Sequence, residues 1–166
     1  LEVGCGTGEH AEYMTRAFPE LRWLATDLPG CLASAKAWQS WADRKSFRDP
    51  MALDVTDVWP DEHFDVIYAT NMIHYVQWSV VKAFFLGAGR VLRPKGVLFV
   101  YGPYRYQDRP LEPSNIAFDS WLKAREPEAG VRLFDEVDAL ATEQGLELVR
   151  DVAMPANNRA IWWRRA

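Results

Sequence analysis

Three glycines within five residues follow a short apolar segment at the beginning of the sequence, in the stretch Gly4-Cys5-Gly6-Thr7-Gly8. Glycine permits a positive φ and lets the backbone approach a ligand closely, and the N–H groups of a following helix can face a polar or anionic group. The spacing does not fit a dinucleotide fingerprint, because Glu9 stands where the third glycine of G-x-G-x-x-G belongs, and no Gly-Lys-Ser/Thr ending of a P-loop is present. The loop therefore indicates a nucleotide-like ligand of another kind, or a tight turn without a ligand.

With the preceding glutamate, the loop resembles motif I of the class I S-adenosylmethionine (SAM)-dependent methyltransferases, which has the arrangement E-x-G-x-G-x-G. The resemblance implies that the three glycines pack against the methionyl part of SAM and that Glu2 helps to position its amino group. The residues of this loop expected at the cofactor are Glu2, Gly4, Cys5, Gly6 and Gly8.

Two aspartates stand at the ends of the next two predicted strands. Asp27 closes Ala25-Thr26-Asp27, where a carboxylate can accept hydrogen bonds from both hydroxyls of a ribose. Asp54 follows a shorter strand, and in the methyltransferase fold this position faces the adenine amino group. Leu28 and Val55, their neighbours, are expected at the same site. The alternatives are a helix N-cap for Asp27 and a turn aspartate for Asp54.

The loop after the fourth predicted strand contains Asn71 and His74, and in class I methyltransferases this loop borders the transferred methyl group. Asn71 is expected to offer its amide to the cofactor or the substrate. His74 is a candidate general base, because the ordinary pKa of histidine lies near neutrality, or a structural histidine at a helix start. Methyl transfer from a sulfonium can be accelerated largely by alignment, so the reaction does not require a base.

The proline-broken, aromatic segment 102–130 is predicted to be a lid or insertion on the substrate side. Tyr101, a candidate catalytic residue just before it, and Tyr104 could flank the methyl group or bind the acceptor; ordinary packing is the alternative. Asn115 and Asn157 lie in polar clusters that either supply amide ligands to a substrate or simply form turns.

Around these residues, short apolar strands alternate with amphipathic helices, which is typical of a mostly parallel α/β sheet. The predicted strands are Leu1–Val3, Arg22–Thr26, Met51–Leu53, Phe64–Ala69, Val97–Tyr101 and an antiparallel pair, Leu146–Ala153 and Ala160–Trp163. The predicted helices are Glu9–Phe18, one opened by Pro29, Trp78–Val91 and Phe134–Gln144. We expect a Rossmann-like class I methyltransferase fold in one domain over residues 1–166, with a seven-stranded sheet, an antiparallel last strand and helices on both faces. Because so little of the first strand is present, we also expect an N-terminal truncation.

The composition of the chain limits the kinds of partner that we expect. The 166 residues carry a net charge of −4 without a prominent basic run, which disfavours nucleic acid. No apolar run approaches the roughly 18 residues of a membrane span. Cys5 and Cys31 have neither metal-ligand spacing nor a disulfide framework, so we expect no metal site and free thiols in the cytoplasm.

Over nearly its whole length the chain is similar to one uncharacterised methyltransferase-like family, a domain of unknown function. The similar stretches are Gly6–His10, Asn71–His74 with Trp78, Tyr101–Tyr104, Ser114-Asn115 with Phe118-Asp119, and Met154–Asn158. The resemblance implies SAM as cofactor, S-adenosylhomocysteine (SAH) as product and a small-molecule acceptor. The alternative function is a non-catalytic binding module, which an exposed apolar patch near Trp162 and Trp163 would favour. A transferase that moves an aminopropyl group is the least favoured function.

Overall fold

The computed structural model describes residues 1–166 and contains nine strands and five α-helices. The strands are β1 (Glu2–Val3), β2 (Ala25–Asp27), β3 (Met51–Ala52), β4 (Phe64–Thr70), β5 (Leu92–Gly102), β6 (Tyr104–Arg105), β7 (Arg132–Leu133), β8 (Leu146–Met154) and β9 (Asn158–Arg165). The helices are α1 (Glu9–Ala17), α2 (Ala33–Ala42), α3 (Trp78–Val91), α4 (Pro113–Arg125) and α5 (Phe134–Glu143). Two 3-10 turns, Pro29–Cys31 and Pro155–Asn157, complete the chain.

Seven strands form one sheet in the order β3-β2-β1-β4-β5-β9-β8. Strands β1 to β5 pair in parallel, whereas β9 is antiparallel to both β5 and β8. The predicted Rossmann-like sheet with an antiparallel last strand is therefore confirmed. The strand order reverses between β1 and β4, and open α/β sheets bind ligands in the crevice at the carboxyl ends of such strands.

Most predicted elements are present, with shifted ends. The strand predicted at Arg22–Thr26 is regular only from Ala25, and it includes Asp27. Helix α3 ends at Val91 as predicted, but β5 begins at Leu92, which pairs with Phe64 before a register shift. The turn predicted at residues 93–96 is thus an irregularity near the start of β5, where Lys95 has a φ of 64°.

Helices cover both faces of the sheet, as predicted, and each face has its own apolar cluster. Helices α3 and α5 pack over the larger cluster, which contains Phe84, Phe85 and the fully buried Trp163. Helices α1 and α2 pack over the smaller one, around Ala35 and Phe47. Burying one large apolar side chain stabilises a fold by roughly 1.5–3 kcal/mol, so these two clusters stabilise the sheet from both faces. None of the helices combines the length and apolar character needed to cross a membrane.

The segment 102–130 has its own helix, α4, as its length predicts. Pro113 begins this helix, where its missing N–H is not needed. Asp119 anchors the end of the segment, because its Oδ1 accepts a 2.8 Å hydrogen bond from the N–H of Val131 and its Oδ2 lies 2.6 Å from Nζ of Lys123. The segment is therefore an ordered layer over the end of the sheet; its role as a substrate-side lid stays a prediction.

Candidate active site

The glycine loop connects β1 to α1 through three left-handed residues, Gly4, Gly6 and Gly8, with φ values of 73°, 54° and 87°. A Cβ on Gly8 would lie 2.7 Å from Cα of Ala35 in α2, so close packing of the two helices requires glycine there. A Cβ on Gly6 would meet nothing within 4 Å. The loop is thus packed against protein at Gly8 and open at Gly6.

Asp27 connects the end of β2 to this loop. Its Oδ2 accepts a 2.8 Å hydrogen bond from the N–H of Gly6, and its Oδ1 accepts one of the same length from the N–H of Leu28. No side chain caps the following 3-10 turn or α2, so the N-cap alternative for Asp27 is wrong. Each carboxylate oxygen keeps a lone pair for a further donor. The half-exposed Leu28 stands beside it.

Asp54 lies in a turn after β3, and its Oδ1 accepts hydrogen bonds from the N–H and the hydroxyl of Thr56, at 2.9 Å and 2.7 Å. These two bonds lower the pKa of the Asp54 carboxyl. The turn geometry expected as the alternative is therefore present. Oδ2 has no partner in the protein and remains available, whereas the neighbouring Val55 is buried.

Glu2 lies beneath the glycine loop, only 1% exposed. Its Oε2 accepts a 2.8 Å hydrogen bond from the indole N–H of Trp23, and its Oε1 lies 3.1 Å from Nδ1 of His10. Burial leaves little of the Glu2 carboxylate open to a ligand, and its expected contact with a ligand amino group stays a prediction. Cys5 is likewise buried, and burial together with Glu2 and Asp27 raises the pKa of its thiol to about 12.

Asn71, His74 and Gly102 meet at the carboxyl ends of β4 and β5. The N–H of Asn71 donates to the carbonyl of Tyr101 at 2.9 Å, and Asn71 adopts a left-handed φ of 50°. A Cβ on Gly102 would lie 3.1 Å from Nδ1 of His74 and 3.7 Å from Oδ1 of Asn71. The missing side chain of Gly102 therefore makes room for both polar groups, and Tyr101 stands next to them.

His74 is 1% exposed, and its Nδ1 has no hydrogen-bond partner. Burial, and secondarily the charge of Arg132, lowers its pKa to about 4. The pKa of His74 therefore lies below the ordinary value for histidine, and the imidazole is uncharged at neutral pH. It is not a satisfied structural histidine either, because a buried polar atom without a partner is unfavourable.

The His74 loop is fixed by the segment that follows α4. The guanidinium of Arg132 donates to the carbonyls of Ile73, at 2.9 Å, and Val76, and the N–H of Gly130 donates to the carbonyl of His74 at 2.9 Å. The ring of Phe118 from α4 lies edge-on to the imidazole at 5.4 Å. These contacts could not be inferred from the sequence, because they join positions far apart in the chain.

Three of the predicted acceptor-side residues lie close together beyond the end of β5: Tyr104, Asn115 and Asn157. Tyr104 is 3% exposed, and its hydroxyl has no partner. Asn115 at the start of α4 donates from Nδ2 to the carbonyl of Asn157 at 3.0 Å, and Asn157 donates from its own Nδ2 to the hydroxyl of Ser114 at 3.0 Å. The two predicted asparagines therefore contact each other across the site.

Tyr106, Asp151 and Arg159 were not predicted from the sequence. The hydroxyl of Tyr106 donates to Oδ2 of Asp151 at 2.6 Å, and Nε of Arg159 donates to Oδ1 at 2.7 Å. Only the aromatic character of the segment pointed to Tyr106; nothing in the sequence pattern indicated its partners. No group of three or more histidine, cysteine, aspartate or glutamate side chains could hold a metal ion.

Comparison with known proteins assigns the family. Residues 1–165 match the family described as "Protein of unknown function (DUF938)". The chain belongs to this family. A curated relative of the DUF938 chain is the malonyl-[acyl-carrier protein] O-methyltransferase of Hahella chejuensis (strain KCTC 2396), 37% identical over 101 residues, which are 59% of this chain and 34% of the relative.

Solved structures share the fold. An O-methyltransferase family protein from Burkholderia thailandensis has a TM-score of 0.88 at 15% identity and covers 99% of this chain, which corresponds to 50% of that protein. The structure of PigF with SAH has a TM-score of 0.82 at 15% identity over 99% of this chain and 49% of PigF. The DUF938 chain thus has the class I methyltransferase fold and spans about half the length of these structures.

Proposed function

We propose that residues 1–166 form a SAM-dependent methyltransferase domain that acts on a small-molecule acceptor. The observation that carries the proposal is the Asp27 carboxylate, which holds the N–H of Gly6 at 2.8 Å. The same carboxylate still has lone pairs for two ribose hydroxyls, and the free Oδ2 of Asp54 stands at the end of the neighbouring strand. The O-methyltransferase name of the curated relative and the SAH held by PigF support the same function.

The residues fit this cofactor. The space beside Gly6 is open to a ligand, and the polar groups around it are acceptors suited to ribose, adenine and an ammonium group. The residues proposed to hold SAM are Gly4, Cys5 (through its backbone), Gly6, Gly8, Asp27, Leu28, Asp54, Val55 and Asn71. Glu2 acts indirectly, by holding Trp23 beneath the loop. Bound SAM supplies a methyl group activated by its sulfonium.

On the acceptor side, the residues align the nucleophile and exclude water. His74 is a weak base in this environment, because burial lowers its pKa to about 4. We therefore propose that its unpartnered Nδ1 orients the methyl acceptor by a hydrogen bond and that His74 does not act as a general base. Asn71 and Tyr101 stand beside it at the strand ends, where alignment supplies much of the acceleration.

Calorimetric titration of SAM and SAH into the protein tests this function. We expect wild type to bind both ligands and Asp27→Ala to bind them about 10- to 100-fold more weakly, since charge-assisted hydrogen bonds to the ribose are lost. Asp65→Ala is the matched control, because Asp65 is an exposed β4 carboxylate paired with Arg93. Absence of binding to wild type, or equal affinity for Asp27→Ala, refutes the proposal.

The alternative of a non-catalytic binding module has lost its expected support. Trp163 is fully buried, and its indole N–H donates to Oδ1 of Asp138 at 2.7 Å, so it contributes to no exposed patch with Trp162. We include a cytoplasmic location in the proposal, since Cys5 and Cys31 are both free thiols. Subcellular fractionation of the tagged protein tests that location.

A further inference from the structure

A cavity of about 210 Å³ lies between the stretch after β6, the start of α4 and the tip of the β8–β9 hairpin. Its lining includes Tyr104, Tyr106, Arg109, Asn115 and Asn158. It is close to the proposed reaction centre, because a Cβ on Gly102 would lie 3.0 Å from Cε1 of His74. Gly102 also pairs with Arg159, which lines the cavity.

Two sets of side-chain hydrogen bonds hold the walls of this cavity together. On one side Tyr106 donates to Asp151 of β8 at 2.6 Å, and on the other Asn115 donates to the carbonyl of Asn157 at 3.0 Å. The turn at Asn157 is strained, since Ala156 and Asn157 are consecutive non-glycine residues with φ values of 57° and 58°. Such strain persists only where the surroundings impose it, and it concentrates at functional sites.

Tyr104 lines the cavity, and its buried hydroxyl calls for a hydrogen-bond partner. The side chain is only 3% exposed, and the hydroxyl has no partner. Burial, with Tyr106 and Asp151 nearby, raises its pKa well above the ordinary value, so the group keeps its proton and can donate. A ligand oxygen in the cavity would remove the cost of this unsatisfied group.

The two arginines that line the cavity differ in whether a partly buried carboxylate already pairs with them. Arg159 is held by Asp151 at 2.7 Å, whereas the guanidinium of Arg109 has only its exposed neighbour Asp108 at 3.2 Å. The Arg109 guanidinium lies over the ring of Tyr106 at 4.0 Å, which orients it at the cavity. Glu112 is the lining carboxylate and is exposed at the start of α4. Arg109 is therefore the cation available to a ligand anion.

We propose that this cavity is the acceptor pocket and that its acceptor is a small hydroxylated carboxylic acid, whose carboxylate pairs with Arg109 and whose hydroxyl accepts from Tyr104. Methyl transfer to this acid rests on the proposed function, whereas binding of the acid in the cavity does not. Pockets for drug-sized ligands begin at roughly 300 Å³. The cavity of about 210 Å³ is smaller, which favours an acceptor with a single ring.

Four probes that share one ring test this inference: 4-hydroxybenzoate, benzoate, phenol and benzylamine, each titrated by NMR into the protein with and without SAH. We expect 4-hydroxybenzoate to bind most tightly and benzylamine not to bind. Arg109→Gln should weaken 4-hydroxybenzoate about tenfold and leave phenol unchanged, since a charge-assisted pair is lost. Tyr104→Phe should weaken both phenols and leave benzoate unchanged. Arg22→Gln, which removes an equal charge from an exposed position elsewhere, is the control.

The outcomes separate the two proposals. Binding of the acids without binding of SAH would refute the methyltransferase function and leave the pocket intact. Binding of SAH with no binding of any acid, or with benzylamine bound as well as benzoate, would overturn the acceptor assignment. An Arg109→Gln protein that binds 4-hydroxybenzoate like wild type would overturn it as well.

Discussion

The buried carboxylate of Glu2 accepts a 2.8 Å hydrogen bond from the indole N–H of Trp23, 21 residues later in the chain. This bond joins β1 to the residues that lead into β2, directly below the glycine loop. Because the second oxygen contacts His10 of α1 at 3.1 Å, one carboxylate connects three consecutive parts of the chain. The loop is thereby positioned before any ligand arrives.

Glu2→Ala should therefore destabilise the protein although it alters no apolar contact of the core. Leaving the buried indole N–H of Trp23 without a partner costs about 1 to 3 kcal/mol of unfolding free energy. Urea denaturation measures the loss, and a double-mutant cycle with Trp23→Phe should give a coupling of at least about 0.5 kcal/mol. Glu9→Ala, which changes an exposed glutamate on α1, is the control; an equal loss there would contradict the prediction.

His10 should titrate above its ordinary pKa of 6.5, chiefly because its ring is hydrogen-bonded to Glu2. A raised folded-state pKa gives stability that is fully present below the unfolded value and is lost as the pH rises through the folded value. The side chain is 51% exposed, so solvent screening keeps the contribution small. NMR titration checks it: Glu2→Gln should return the His10 pKa toward 6.5.

His74 should give the opposite pH dependence. Its folded pKa of about 4 lies below the ordinary 6.5, so stability is present above 6.5 and falls as the pH drops toward 4. The ring is 1% exposed, and the full loss is about 3 kcal/mol. Unfolding free energies of wild type and His74→Gln, measured from about pH 7 to about pH 4.5, should show a steeper decline for wild type. Parallel declines would be evidence against a buried, neutral imidazole.

Gly8 and Gly6 form a matched pair for separating folding from binding. Gly8→Ala places a methyl group 2.7 Å from Cα of Ala35. Overpacking and left-handed strain should then cost about 3 kcal/mol of stability. Gly6→Ala meets no protein atom and should cost only about 1 kcal/mol. Thermal unfolding measures both. In SAM titrations Gly6→Ala should fold yet bind more weakly; wild-type affinity for this variant would show that the ligand does not lie beside Gly6.

Local patterns were sufficient to predict the sheet and the positions around it. The alternation of apolar strands and amphipathic helices predicted the α/β architecture, and the placement of Asp27 at the end of β2 followed from the same periodicity. Asp27 and Asp54 lie at neighbouring strand ends, because parallel strands align their carboxyl ends at one edge. Such features depend on residues close together in sequence.

The environment of individual side chains was not predictable in this way. The burial of His74 depends on Phe118 and Arg132, which reach it from later elements, so its ordinary pKa was a poor guide. The partners of Glu2 and Tyr106 are likewise set by tertiary packing, which leaves no periodic trace in the sequence. Residue type indicated where chemistry is available, and long-range contacts decided how each group is used.

The position of β9 has a consequence for how the chain folds during synthesis. Residues Asn158–Arg165 are the last strand of the sheet to leave the ribosome, yet they lie between β5 and β8. Until they emerge, β5 and β8 cannot be joined, and both present unpaired backbone groups that invite pairing with other chains. Closure of the sheet thus waits for this strand, and translation that stops before Asn158 would yield an aggregation-prone fragment.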